Sequence, residues 1–500
     1  MTLKEKKSYD ALFDNSELSH NLKNKSVKSA AVTVTTQILK FILQFGGTAV
    51  LARLLSPEDF GLIAMTIVIT GFISMFKDVG LSMATIQKEH INHAQVSALF
   101  WINVAIGALL TLIVVGMSPL IAAFYNEPRL MNVTITLSAV FFIGGFAIQP
   151  KAILKRKMAF KALAIIEVVS QIAGVICAIY MATSGYGYWS LVGQQVTIIT
   201  VDFFITSVSI SWRPSRPKRT EGVGDMVRFG ADIVAFNSVN YFSRQMDNLL
   251  IGWFWGPSAL AFYSKAYTLL LMPVNQINAP LTAVSLPSLS RTQNDPVRYK
   301  SFFLKFLELI VSLTMPVIMV FFLFAEQIIL AWLGPAWGES SSIFKLLVPA
   351  AMTGVLTNPL GSLMLSLGLS ARYRKIGLLS AAVVVIAFII GLPYGVHGVA
   401  LAYSIASVCL VFPVCWLSTK DTPINVMDII HTLSPSLCAT VITTLITYFV
   451  HLYLIGLNNQ LISTLLSMAI YGAIYLTILL FAFKKLAFFS SIAKELLKKT

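Results

Sequence analysis

The stretch SVNYFSRQMDNLLIGW, residues 238–253, places a guanidinium at Arg244 and a carboxylate at Asp247 in a run of chain that is otherwise nearly all apolar. A charged side chain in hydrocarbon costs roughly 2.5–3.5 kcal/mol on insertion scales, so such a residue is expected to face protein or a water-filled space. Asp232, Asn237, Asn240, Ser243, Arg244, Asp247 and Asn248 recur at steps that favour one helix face. Two further cations, Lys40 and Lys265, lie in apolar segments, and Gln37 and Gln44 share roughly the stripe of Lys40. If these faces converge they make a cationic cavity, which suits an anion, and a guanidinium adds a planar fork that fits phosphate oxygens. The expected binding set is Arg244, Lys40, Lys265, Gln44, Gln37 and Asn240, with Asp247, Asp232 and Glu308 as candidates for ion coupling. Plainer readings stand beside these. Arg244 and Asp247 are three apart and can neutralise each other, Lys265 can snorkel towards a nearby turn, and acids such as Glu167, Asp202, Glu308 and Glu326 can cap helices or pair.

The elements that must position these groups are membrane helices. Of the 500 residues, 56% are hydrophobic and only 12% charged, and the mean hydropathy is +0.78. The apolar residues come in blocks of about 20, long enough at 1.5 Å per residue to cross a hydrocarbon core of ~30 Å. The blocks run approximately 28–53, 58–76, 97–122, 130–150, 162–182, 186–210, 229–254, 257–288, 302–330, 342–368, 376–392, 396–418, 430–452 and 460–483. Lysine and arginine gather in every second connection, among them Lys151, Lys155, Arg156, Lys157 and Lys161 after the fourth block, whereas the alternate connections hold Arg53 and Arg129. By the positive-inside rule both termini are cytoplasmic, which requires an even number of spans and agrees with about fourteen. The net charge of +15 is then an orientation signal and an attraction to anionic lipid headgroups, and no nucleic acid partner is expected.

Several classes of chemistry are excluded by pattern. The polar, mixed-charge start lacks the layout of a cleaved signal peptide. Cys177, Cys409, Cys415 and Cys438 fall in or beside apolar blocks at no metal-ligand spacing and read as small packing residues. There is no G-x-x-x-x-G-K-[ST] loop and no H-E-x-x-H, so neither nucleotide hydrolysis nor a metal site is expected, and no cofactor. The longest connections are about 20 residues, too short for the acceptor domain that a membrane glycosyltransferase or polymerase usually carries. The protein is read as a transporter rather than an enzyme.

An offset of 200 residues sets LLSPEDFGLIAM (54–65) against FWGPSALAFYSK (254–265), placing Pro57 on Pro257 and Gln44 on Arg244. Six spans separate the copies, so they share an orientation, as in transporters built from two parallel bundles. The organisation expected is a cytoplasmic segment 1–27, a six-helix bundle 28–210, a basic linker 211–228 within SWRPSRPKRTEGVG and its flank, a second bundle 229–418, two further helices 419–483 and a basic tail 484–500.

LARLLSPEDFGLIAM (51–65), DVGLSMATIQ (78–87), FYNEPRL (124–130), QPKAILKRKMAFKALA (149–164), GYGYWSLVGQQ (185–195), RQMDNLLIG (244–252) and LAFYSKAYTL (260–269) together resemble the Wzx-type polysaccharide export flippases. These form part of the multidrug/oligosaccharidyl-lipid/polysaccharide exporter superfamily, and the similarity is to the colanic-acid-exporter-like branch. One departure is Ala261, where relatives usually carry glycine. The resemblance implies an all-α integral membrane protein: two six-helix bundles around a central cavity plus two C-terminal helices, in the inner membrane of a bacterium. It also implies alternating-access transfer of an undecaprenyl-pyrophosphate-linked oligosaccharide for surface polysaccharide synthesis, with membrane lipids and a polysaccharide polymerase with its chain-length machinery as further partners. Two other readings stay open. A cation-coupled drug antiporter of the same superfamily would want acidic or neutral residues where Arg244, Lys40 and Lys265 lie. A membrane glycosyltransferase or polymerase is the third.

Overall fold

The computed structural model describes residues 22–78, 80–88, 91–216, 223–454, 460–486 and 489–490, and within these it leaves aside the side chains of 22–28, 30, 223–240, 242–243, 279–280, 283–284 and 460–461. All regular structure in the described residues is helical: α1 (Leu22–Leu54), α2 (Pro57–Ser74), α3 (Leu81–Gln87), α4 (His93–Phe124), α5 (Arg129–Arg156), α6 (Phe160–Thr183), α7 (Trp189–Ser209), α8 (Val223–Thr292), α9 (Pro296–Leu323), α10 (Ala325–Leu333), α11 (Gly338–Ser366), α12 (Ser370–Gly391), α13 (Gly395–Thr419), α14 (Val426–Leu454) and α15 (Gln460–Thr477). Eleven helical stretches are long and apolar enough to cross a membrane, and one of them, Ser370–Thr419, holds both α12 and α13. The chain is an all-α, multi-pass membrane protein. It divides into two compact units, Met1–Ala261 and Phe262–Thr500.

In the first unit the turns meet at two opposite ends of antiparallel helices. At one end Ser56 caps α2: its Oγ accepts from the Asp59 N–H, the Asp59 carboxylate accepts from the Ser56 N–H at 2.9 Å, and Pro57 follows at the first helical position. Glu58 pairs with Arg129 at the start of α5, and Arg129 Nε also lies 2.7 Å from Glu127. Gly61 faces the Pro257 carbonyl so closely that a Cβ would overlap it. Gly256 has φ 79°, a left-handed conformation open chiefly to glycine, and it is the break inside α8 where a turn between two spans is expected. At the other end Arg156, buried, donates to the carbonyls of Thr85 at 3.0 Å and Lys88 at 2.6 Å, closing the C-terminus of α3, while Thr85 Oγ1 donates to Gln149 at 2.8 Å. Trp212 is buried against α4, its Nε1 donating to His93 Nδ1 at 2.9 Å. The Ser215 N–H donates to Ser97 Oγ at 3.1 Å, so residues 211–216 of the basic stretch are fastened to α4.

The second unit is organised around α9 and α11, with Tyr299, Phe303, Leu307, Phe344, Leu347 and Leu363 fully buried. The Tyr299 hydroxyl reaches Ser366 Oγ at 2.6 Å, joining the start of α9 to the end of α11, and Ser312 meets Ser436 of α14 at 2.7 Å. Lys300 pairs with Asp428 at 2.7 Å, and Arg372 with Asp421 at 3.0 Å. The apolar block 302–330 is not one helix, because Phe324 leaves the helical region at φ −109°, ψ 24° and a separate α10 begins.

Candidate functional site

Each expected site residue has a definite place. Lys40 is half-buried on α1, its Nζ 2.8 Å from Glu167 Oε2 on α6, so the lysine is paired. Gln37 and Gln44, three before and four after Lys40, are exposed on α1. Arg244 is exposed on α8 and makes no ion pair among the described residues. The neutralising Arg244–Asp247 pair is therefore not formed. Asp247 is 4% exposed, and its Oδ1 accepts from the Asn248 N–H at 2.7 Å, a local bond that turns the carboxylate along its own helix. Asn248 in turn donates to Gln245 at 2.7 Å. Asp232, Asn237, Asn240 and Ser243 lie on α8 among the residues whose side chains are left aside.

Lys265 belongs to the second unit and is half-buried on α8. Glu308 is buried on α9 and paired with Lys485 at 2.5 Å. This cation stands just past the π-helical turn Ile478–Ala482 that ends the chain's last apolar block.

The first unit also holds a charge cluster that the sequence pattern hides. Lys151 Nζ lies 2.5 Å from Asp202 Oδ1, linking α5 to α7, and Lys77 senses the charges of both. The Lys77 ammonium is laid against Gly144 of α5, where a Cβ would overlap it. Lys151 read as a connection residue because the apolar block ends at residue 150 and a run of cations follows, yet α5 runs on through Pro150 to Arg156. Of the three cations in its last six residues, Lys151 is satisfied by a carboxylate and Arg156 by carbonyls. The partner of Lys151 is 51 residues away, which no local pattern in the sequence indicates.

This is a membrane helix bundle whose helices carry charged groups among apolar residues: the exposed Arg244, the half-buried Lys265, the Lys40–Glu167 and Lys485–Glu308 pairs, and a partly buried cluster with more lysine than aspartate. It holds ammonium and guanidinium groups suited to an anion. Among the described residues no group of three or more His, Cys, Asp or Glu is placed to hold a metal.

The model of a family described as "Polysaccharide biosynthesis protein" matches residues 50–342, more than half the chain. The chain belongs to that family. Among curated proteins it is similar to the lipopolysaccharide biosynthesis protein WzxC of Escherichia coli (strain K12), 24% identical over 353 residues, 69% of this chain and 71% of that one. It is also similar to the teichuronic acid biosynthesis protein TuaB of Bacillus subtilis (strain 168), 27% identical over 303 residues, 60% and 62% of the two chains. The fold is shared with the inward-closed lipid II flippase MurJ, with a TM-score of 0.70 at 17% identity over 92% of this chain and 100% of that one. An inward-facing multidrug resistance MATE family transporter of the MOP superfamily follows at a TM-score of 0.58, 12% identity, 77% and 96% coverage. For this family member the sequence motifs have mostly structural duties. SPEDFG builds the cap and the Pro257 contact, NEPR the Glu127–Arg129–Glu58 link, and QPKAILKR the Gln149, Lys151 and Arg156 joints.

Proposed function

We propose that this chain is a flippase that moves undecaprenyl-pyrophosphate-linked oligosaccharide across a bacterial inner membrane by alternating access, for synthesis of a surface polysaccharide. The observation that carries the reading is Arg244: a guanidinium exposed on α8 in an otherwise mostly apolar stretch of sequence, making no ion pair among the described residues. A permanent cation in that position costs energy unless an anion uses it, and in a polysaccharide biosynthesis family the chemically apt anion is the phosphate of a lipid-linked sugar. Lys40 in the first unit and Lys265 in the second are further candidate cations, with Gln37, Gln44 and Asn240 as neutral hydrogen-bonding candidates. Lys40 is held by Glu167, so it engages substrate by exchanging one carboxylate for another oxyanion.

Binding of the head group favours the state that closes on it, by the difference in affinity between the two conformations and no more. Both termini are cytoplasmic in this reading, and the basic connections stay on that side. Asp247 is the leading carboxylate for coupling to an ion gradient, with Asp232 second. Glu308 takes part only if its pair with Lys485 opens. A polysaccharide polymerase and its chain-length machinery would take the product on the far side. The drug-antiporter reading loses ground because Arg244 repels an organic cation.

The test is removal of the chain from cells that make the polysaccharide. Lipid-linked oligosaccharide should accumulate in the inner leaflet while surface polymer disappears. Sugar transfer catalysed by the purified protein, or export that continues without it, would refute the assignment.

A further inference from the structure

In the second unit, α11, α12 and α13 line a cavity of about 260 Å³ that is open to the surface, where Asn358, Tyr373 and Gly377 are exposed. That is just below the roughly 300–1,000 Å³ of pockets that take drug-sized molecules, so it is scaled to one small ring. The sequence explains why space is left there. Gly354 and Gly361 are two turns apart on the face of α11 that also carries Thr353, Thr357 and Asn358, and Gly377 faces them from α12. At Gly361 a Cβ would come within 3.1 Å of the Tyr373 ring, so the glycine gives the ring its seat. At Gly377 a Cβ would meet nothing within 4 Å, which marks open space beside the helix.

The chemistry of the lining is specific. No Asp, Glu, Lys, Arg or His is among the lining residues; the polar ones are hydroxyls and a single amide, on Thr353, Thr357, Asn358, Tyr373, Ser380 and Ser407, with Tyr403 beside them. Thr353 donates its hydroxyl hydrogen to the Ala350 carbonyl at 2.8 Å and Thr357 to the Thr353 carbonyl at 2.9 Å, so both keep oxygen lone pairs for a further partner. Asn358 adds two N–H donors and an acceptor. An anion would find no compensating charge here, and an alkyl chain would leave the polar groups unmatched. A neutral polyol matches them, because every hydroxyl of a sugar both donates and accepts, and a tyrosine ring offers an apolar face to its C–H side.

We propose that this cavity binds one uncharged sugar residue of the transported glycan. The proposal rests on the flippase reading and adds to it a charge-free pocket, within the second unit, for the sugar. The site discriminates between glycans, since an epimer or a missing hydroxyl leaves one of these groups without its partner.

The test compares two probes on the full chain in lipid nanodiscs: undecaprenyl diphosphate, and the same lipid carrying the glycan, extracted from the producing cells. Wild type should bind the glycan-bearing lipid about tenfold more tightly or better, the worth of one or two satisfied hydrogen bonds. Gly377→Leu, which fills the cavity from a helical position with room for it, and Asn358→Leu, which removes the amide, should each bring that ratio close to one at an unchanged Tm. A ratio that survives both substitutions, or a wild-type protein that does not distinguish the two lipids, overturns the sugar site. A wild-type protein that binds neither lipid overturns the flippase reading itself, and the sugar site with it.

Discussion

Lys40 and Glu167 meet at 2.8 Å across α1 and α6, each about one-third exposed, and so the first candidate cation of the chain has a counterion of its own. An exposed ion pair is worth little to stability, typically under about 1 kcal/mol, so substitutions in this one are expected to leave the fold intact and report on binding. If Lys40 engages the substrate, Glu167 competes with the substrate for it. Glu167→Gln should tighten binding of undecaprenyl diphosphate several-fold and Lys40→Gln should weaken it. The double variant should resemble Lys40→Gln alone, and equal, additive effects in that cycle would show the pair to be structural.

The Lys151–Asp202 pair is the opposite case, with Asp202 only 9% exposed in its side chain and Lys77 close by. Asp202→Asn leaves two lysines facing each other without their carboxylate. The expected loss is about 3–5 kcal/mol, the usual cost of stranding a buried charge. Thermal unfolding in detergent measures it, and the joint change Asp202→Leu with Lys151→Met should recover most of the loss. No change on Asp202→Asn would remove the cluster from the account of how α5 and α7 are held.

How much of this was legible in the sequence depends on the range of the interaction. The start of α2 is written in SPED, because a cap and its capping box need only neighbouring residues. The break at Gly256 is foreshadowed by the glycine and proline between two apolar blocks. The candidacy of Arg244, Lys40 and Lys265 came from charge in apolar surroundings, and the structure adds the partner that decides Lys40's state, 127 residues away. The end of α5 was hidden, because Pro150 and a run of cations resemble a loop unless Asp202 and the α3 carbonyls are known to receive them. Trp212 in a polar, basic stretch was the sign that part of it is docked and buried.

Gly61 makes a separate prediction about packing. A methyl group at this position collides with the Pro257 carbonyl, whereas at Gly46, also helical, it meets nothing within 4 Å. Gly61→Ala should therefore lower stability by about 1–3 kcal/mol. Gly46→Ala should leave it unchanged or raise it by about 0.5–1 kcal/mol through helix propensity. Equal Tm values for the two variants would contradict the close approach.

The link at Glu127 sets an acid dependence. Hydrogen bonds from the Arg129 side chain hold the Glu127 carboxyl below its ordinary 4.5. A depressed value in the folded state means that its contribution is complete above about pH 4.5 and disappears as the pH falls through the lower value. The effect is small for a surface pair, about 1 kcal/mol or less. Between pH 6 and pH 3 the Tm of wild type should fall more steeply than that of Glu127→Gln, and parallel curves would assign the acid loss to other groups.

The most direct test of the central claim is the distribution of lipid-linked oligosaccharide between the leaflets of cells whose only copy carries Arg244→Ala, at normal membrane abundance, with Arg244→Lys beside it. Loss of charge-assisted hydrogen bonds to a phosphate is worth roughly 1.5–3 kcal/mol, so the account predicts inner-leaflet accumulation and surface polymer reduced about tenfold or more in Arg244→Ala, with partial recovery in Arg244→Lys. Export at the wild-type level in Arg244→Ala would contradict it.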